Sequence, residues 1–390
     1  MATEGATQHW RRAVLMLFAV AAGTNVPTPL LLVYKDTLDL SAETLTALFG
    51  CYAAGLVPAL LVAGPLSDRI GRRAVVLPFV AMSAVASLLF VTAAHNVPLL
   101  FAARFLQGVV SGAVFSVGSA WIVELSGGDS SGARRAAAAM SAGFSLGPLT
   151  SGLLGQYAPA PTTLPYLVHV AVVGVGALAA RGLPETVTHH RHREPLHEPL
   201  VRTGEGWQVL TVMAPLAVCV YAFPSVIIAA LPVLIDLPAG KGVLITGVLA
   251  GITLGASTLA APLQRRLRGA TPAVAAACGA AGYALALVAA REEAFGLLVP
   301  GAVLLGAGGG LALASGLALV ATLAMPSRRG ALSSVFYACA YVGFAAPFAT
   351  AVAAHHGGPT RPLAVASGLA GLLAVRLLVR VTRARRRGGP

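Results

Sequence analysis

The chain has 390 residues, of which 57% are hydrophobic and only 11% charged, with a formal net charge of +13 and a mean hydropathy of +0.80. Soluble globular domains carry roughly 25% charged residues, so this composition excludes a water-soluble fold for most of the chain. The positive excess could suggest a nucleic-acid partner, but it reads better as anchoring against the anionic headgroups of a lipid bilayer, and no nucleic acid is expected.

Crossing a hydrocarbon core about 30 Å thick takes about 20 helical residues. The apolar runs are continuous and do not alternate, and lipid offers no partner to an unpaired amide, so helices are favoured over a barrel. In chain order the spans read 11–34, 41–66, 74–94, 98–124, 133–157 and 164–184. After a polar segment they continue at 207–235, 242–262, 271–290, 295–324, 330–354 and 361–380. The expected fold is all-α and polytopic, with twelve transmembrane helices. The first run is too long for a signal-peptide core, contains Asn25, Pro27 and Pro29, and has no small-residue cleavage site after it, so it is expected to remain as a span. Both termini then lie on one side.

Charge names the side, because cytoplasmic loops carry the Lys and Arg excess. With the N-terminus inside, 22 of the 27 basic residues fall in even-numbered loops and the two tails; Lys35, Lys241, Arg291 and Arg361 fall in odd loops, and Arg104 lies within a span. Plasma-membrane residence with both termini cytoplasmic follows, and the basic run from Ala384 to Gly389 reads as a juxtamembrane anchor. Cys51, Cys219, Cys278 and Cys339 all fall in spans, where they read as small apolar residues and not as a disulfide set. Neither a metal site nor a cofactor is implied.

The chain repeats itself. GPLSDRIGRR from Gly64 aligns with APLQRRLRGA from Ala261 at an offset of 197; Arg134-Arg135 aligns with Arg328-Arg329 at 194; Pro29 of span one aligns with Pro224 of span seven at 195. Two six-helix halves are inferred, 1–184 and 207–390, joined by a polar cytoplasmic linker at 185–206. Parallel six-span halves around a midplane site are a transporter architecture.

These residues carry a family resemblance. GPLSDRIGRR resembles the signature loop between spans two and three of the major facilitator superfamily, which usually reads Gly-x-Leu-(Ala/Ser)-Asp-Arg-x-Gly-Arg-(Arg/Lys). In span four, Arg104, Gln107 and Gly108 resemble the family's Arg-x-x-Gln-Gly pattern. In span five, GFSLGPLTSG resembles the pattern typical of its antiporters through Gly143, Gly147, Pro148 and Gly152, with Ser151 in place of a glycine. The motifs are most similar to those of the twelve-span drug:proton antiporters. The resemblance implies a secondary transporter working by alternating access.

In the signature-loop motif Gly64 precedes the turn, Gly71 permits the tight reversal, and Arg69, Arg72 and Arg73 hold it in the cytoplasm. Asp68 is placed to pair with Arg72 and to face the positive N-terminal end of span eleven. The resemblance implies a cytoplasmic latch and adds Glu124 as a partner for the arginines; the plainer alternative is a topology signal alone. Pro148 removes a helical donor, so span five is expected to bend there, and Gly143 and Gly147 present a flat face expected to meet Gly247, Gly251 and Gly255 of span eight.

Inside the spans ionisable groups are scarce. An uncompensated Arg at depth costs roughly 2.5 to 3.5 kcal/mol on insertion scales, so Arg104 is expected to line a cavity. Positions 104, 107, 108, 111, 115 and 122 share one helical face, and Asn25, Thr28 and Tyr221 are set opposite it, with Asp36 at the mouth of span one as a neighbour for Arg104. The Gly306–Gly310 stretch reads as helix packing. Every Asp and Glu falls at or beyond a span end, so no embedded carboxylate is assigned as proton carrier; His169 has a suitable pKa but reads better as a packing residue. The His-rich stretch from His189 to Glu198 reads as solvated linker. The expected function is proton-coupled efflux of small hydrophobic or amphipathic molecules, with drugs or secondary metabolites as candidate cargo. The alternatives are an uncoupled or importing facilitator and, of a different class, a transporter-like membrane sensor. No paired acids, zinc motif or nucleophile elbow supports an enzyme.

Overall fold

The chain is described by a computed structural model covering residues 2–128, 130–187, 201, 206–325 and 329–386. Arg328, the His189–Glu198 stretch and the end of the basic tail lie outside the described residues. The described chain is helical, with one isolated bridge between Val201 and Ala324 and no strand. Among the described residues, nine helical stretches are long and apolar enough to cross a membrane, and Leu164–Ala180 is a shorter apolar helix.

The chain divides into two compact units. One comprises Met1–His192 with Pro238–Gly251, and the other Arg193–Leu237 with Ile252–Pro390. The first contains α1 (Ala2–Gly23), α2 (Pro27–Leu38), α3 (Ala42–Ile70), α4 (Arg72–Thr92), α5 (Val97–Leu125), α6 (Ser130–Tyr157) and α7 (Leu164–Ala180). Asn96 begins α5 by accepting the Leu99 N–H at 3.0 Å, and Ser41 begins α3 by accepting from Thr44, as N-cap residues do. A buried core of Met16, Leu17, Val76, Val114, Val117 and Trp121 joins α1, α4 and α5.

Glycine sets how closely the helices approach. A side chain at Gly55 would overlap the Phe105 carbonyl, one at Gly108 the Tyr52 carbonyl, and one at Gly112 the Leu56 carbonyl, so α3 and α5 touch backbone to backbone. Gly108 therefore faces α3. The second unit repeats the device: Gly306 and Gly310 lie against the Thr253 and Ser257 carbonyls, and Gly308 and Gly309 against Ala275 and Val220, which is the packing role read from that stretch. Gly108→Ala is expected to destabilise the protein by about 1–3 kcal/mol through overpacking, seen as a lower Tm in detergent; an unchanged Tm contradicts the close approach.

The two first helices of the units carry prolines with different results. The expected single span at 11–34 is interrupted at Thr24–Val26, between α1 and α2. In the second unit, the helical run Gly206–Leu234 stays continuous but widens to five-residue hydrogen bonding at Val209–Met213 and Val226–Ala230, beside Pro215, Pro224 and Pro232. Helix α6 runs uninterrupted through Pro148.

Candidate functional site

The break in the first span is built by its own prolines. Pro27 has no N–H, so the Gly23 carbonyl lacks its helical donor; the Thr28 N–H turns to the Asn25 carbonyl at 3.1 Å and leaves that of Thr24. Buried carbonyls must find partners, and α5 supplies them. Arg104 Nη1 donates to the Thr24 carbonyl at 2.8 Å and to Gln107 Oε1 at 2.6 Å, while Gln107 Nε2 donates to the Gly23 carbonyl at 2.7 Å. From α6, Ser151 Oγ donates to the Val26 carbonyl at 2.6 Å. The serine that departs from the usual glycine of the span-five pattern is thus a donor to the same break.

Arg104 is 2% exposed, and its guanidinium lies over the rings of Tyr52 (4.8 Å) and Phe49 (5.4 Å). Those rings and the carbonyl dipoles compensate its charge. Among the described residues it has no ion pair. Asp36, expected as its neighbour, is instead exposed near the end of α2. Asn25 and Thr28 do gather here: both are buried, with Thr28 Oγ1 donating to Asn25 Oδ1 at 3.5 Å.

His169 of α7 is buried beside the same break. Its Nε2 meets the Ala19 carbonyl at 3.1 Å and its Nδ1 the Ser87 hydroxyl at 2.7 Å. A carbonyl only accepts, so Nε2 carries the proton and Nδ1 is free to accept from Ser87 in the neutral ring. That is the arrangement of a satisfied packing residue.

A second cluster sits where α3 turns into α4. Gly71 makes the turn at φ +103°, a conformation other residues avoid. Arg72 bridges two carboxylates: Nη1 to Asp68 Oδ1 at 2.7 Å and Nη2 to Glu124 Oε1 at 2.9 Å, with Nη1 also donating to Ser67 Oγ at 2.6 Å. The Arg72 side chain is 7% exposed, and those of Asp68 and Glu124 are 35% and 33%. Arg69 and Arg73 point to the outside, and Gly64 packs near Ser116.

Sequence reasoning missed Glu185, which it assigned to the polar linker at 185–206. The Glu185 carboxylate accepts the first N–H groups of α4, from Arg72 at 2.9 Å and Arg73 at 3.0 Å. It also accepts from Thr186 and Val187. It satisfies orphan donors at the positive end of the helix. Thr186 Oγ1 donates to Glu124, and Trp121 Nε1 to the Pro184 carbonyl at 3.1 Å, so residues 184–187 are stitched to the cluster. The sole signal was an acid immediately after the Pro that ends the sixth apolar run.

Partial burial raises the Glu185 carboxyl, but the four N–H donors together hold it below the ordinary carboxylate range. A depressed folded-state pKa adds stability that is present above the unfolded pKa and lost as pH falls through the folded one. The Tm difference between wild type and Glu185→Gln is therefore expected to be largest near neutrality and to shrink below the ordinary carboxylate pKa of about 4.3. A difference independent of pH contradicts this capping role.

The span-five glycines divide their work. Side chains at Gly143 and Gly147 would collide with the α1 backbone at Phe18 and Ala22 and with the Ala21 side chain, so these two face span one and not span eight. Gly152 is the residue that meets Gly247, with 2.8 Å between a Cβ built there and the Gly247 Cα. A Cβ at Gly247 would in turn lie 2.6 Å from the Pro148 carbonyl, and one at Gly251 3.0 Å from that of Ser145. The close approach of spans five and eight thus exists, one turn further along than expected. In the second unit, Tyr221 stacks on Tyr341 at 5.1 Å and packs on Phe344 at 4.7 Å.

Several comparisons bear on this architecture. A solved peptide transporter POT in complex with sulfate superposes with a TM-score of 0.79 at 14% identity, covering 97% of this chain and 95% of its own. A POT family transporter in complex with 5-aminolevulinic acid gives 0.75 at 12% identity, covering 96% of each. At these identities the likeness is one of fold. Multidrug resistance protein MdtL of Escherichia coli (strain K12 / DH10B) and of Shigella boydii serotype 18 are each 39% identical over 80 residues, which is 20% of this chain and 20% of the relative. The family described as Major Facilitator Superfamily matches residues 13–291. With that match over more than half of its length, the chain belongs to the Major Facilitator Superfamily and is an integral membrane transport protein.

Proposed function

We propose that this protein is a proton-coupled exporter of small hydrophobic or amphipathic molecules, such as drugs or secondary metabolites, working by alternating access in the plasma membrane. The observation that carries the reading is the interrupted first span, whose Thr24, Gly23 and Val26 carbonyls accept from Arg104, Gln107 and Ser151. A broken helix with a buried cation beside it is a transporter feature, because irregular backbone at membrane depth persists only where protein or a cavity satisfies it. Arg104, Gln107, Asn25 and Thr28 form a substrate and proton site in the first unit; in the second unit, Tyr221 is a further substrate contact. The local similarity to MdtL supports efflux as the direction.

Twelve crossings accompany this reading. The helical run Gly242–Arg291 has 50 residues, about 75 Å at 1.5 Å per residue, more than twice the hydrocarbon thickness, and it turns tightly at Ala261–Leu263 and Arg268–Ala270. It supplies two. The halves 1–184 and 207–390 flank a cytoplasmic linker, with both termini on the cytoplasmic side by the distribution of Arg and Lys. Asp68, Arg72 and Glu124 serve as the cytoplasmic latch.

Cells stripped of their own efflux pumps and expressing this protein should accumulate less of a fluorescent lipophilic cation than vector controls. A protonophore should erase the difference. Equal accumulation across a panel of lipophilic cations and neutral drugs counts against export.

A further inference from the structure

We propose that two crevices walled by tryptophan and arginine, one in each unit, bind the headgroup of an anionic glycerophospholipid from the cytoplasmic leaflet. The proposal rests on the topology argued above, with the start of each unit's first helix facing the cytoplasm. In the second unit, a crevice of about 630 Å³ lies between Trp207, Thr211 and Val212 at the start of the helical run and Arg376, Arg380 and Arg383 on the helix Thr360–Arg386. The three arginines recur at four and three residues, so they stand on one helical face. Its volume falls in the range of small-molecule sites, roughly 300–1,000 Å³.

The first unit holds a related crevice of about 450 Å³. Here Trp10 is covered by Arg135, whose Cζ lies 4.0 Å from the ring centroid, and is flanked by Arg11 at 5.5 Å. Below these heads the walls are apolar, with Val14, Leu15 and Phe18 on α1 and Ala138 on α6. Trp10 and Trp207 are 197 residues apart, the offset that relates the two copies of the signature loop. Each unit thus opens its first helix with an indole beside arginines and above an apolar groove.

That chemistry selects one occupant. Indole rings settle at the headgroup level of a bilayer, arginines form forked hydrogen bonds with phosphate, and an apolar groove beneath them suits acyl chains. Basic pockets between helices on the cytoplasmic side are suited to anionic headgroups. Among the described residues, neither crevice is lined by a carboxylate that would neutralise the arginines internally. A phosphodiester lipid supplies the missing negative charge.

The test uses the whole protein in phosphatidylcholine nanodiscs doped with phosphatidylglycerol carrying brominated acyl chains, which quench nearby indoles. Trp10 and Trp207 line the crevices, whereas Trp121 is fully buried. Half-maximal quenching is expected at a several-fold lower mole fraction of brominated phosphatidylglycerol than of brominated phosphatidylcholine. A triple variant, Arg376→Gln with Arg380→Gln and Arg383→Gln, should lose the part of this preference that Trp207 reports, while Trp10 in the first crevice keeps its own. A charge-matched control, Arg265→Gln with Arg266→Gln and Arg268→Gln, should keep both. Equal quenching by the two lipids overturns the proposal, as does an equal loss in both triple variants, which signifies diffuse attraction. The readout involves no transport, and the doped lipid is present in both leaflets, so failure of the export or topology reading leaves this result standing.

Discussion

Arg104→Ala is expected to insert and fold in the membrane yet lose concentrative transport, with initial rates in proteoliposomes falling at least about tenfold. The substitution leaves the Thr24 carbonyl and the Gln107 amide oxygen without their buried donor, and an unsatisfied buried group costs about 1–3 kcal/mol. One such cost equals about a tenfold shift in the population of a competent state. Insertion itself eases, because a charge leaves the bilayer interior. Arg104→Lys should not restore the rate. A point charge on a flexible stem replaces the planar guanidinium that lies over Tyr52 and Phe49 while donating to Thr24 and Gln107. A wild-type rate in Arg104→Ala reduces this residue to inert support.

Arg72→Gln is expected to have the next largest effect. It strips both Asp68 and Glu124 of their shared cation, and losing one partner of a fully buried ion pair costs about 3–5 kcal/mol. Here both acids are about one-third exposed, at 35% and 33%, so water screens part of that cost. A cysteine placed at Val187, on the segment stitched to the cluster, should label faster with a maleimide in Arg72→Gln, and transport should fall. Asp68→Asn should have the smaller effect on both, because Arg72 keeps Glu124 and Ser67. Unchanged labelling and transport in Arg72→Gln together make the loop a topology signal and no latch.

The parts of this molecule that were readable in its sequence are those set by local chemistry. The helical fold followed from continuous apolar runs, the reversal at Gly71 from the need for positive φ, and the Asp68–Arg72 pair from residues one helical turn apart. What could not be read is pairing across helices. Pro27 and Pro29 advertise an irregular first span, but nothing in the periodicity says that Arg104 and Gln107, some eighty residues later, donate to the carbonyls it frees.

Helical phase misled for the same reason. Arg104 and Gly108 share a face towards α3, with Arg104 over the Tyr52 ring and Gly108 against the Tyr52 carbonyl, but the wheel does not name the Thr24 carbonyl as the acceptor of the arginine. Gly143 and Gly147 have the spacing of a helix contact, and the spacing does not name the partner; α1 took them, and Gly152 met Gly247. Glu185 was hidden because an acid beyond the end of a span looks solvated unless the exposed N–H groups of a neighbouring helix start are known to lie beside it.

A proton gradient is proposed to drive cargo across the membrane through this protein. This is tested most directly in proteoliposomes of the purified chain, preloaded with a fluorescent lipophilic drug and given an imposed pH gradient with the membrane potential clamped. Movement of the drug against its own gradient in exchange for protons is expected, abolished by a proton ionophore and absent in liposomes without protein. Drug movement that only equalises concentrations, at the same rate with and without the pH gradient, would contradict it and leave an uncoupled facilitator.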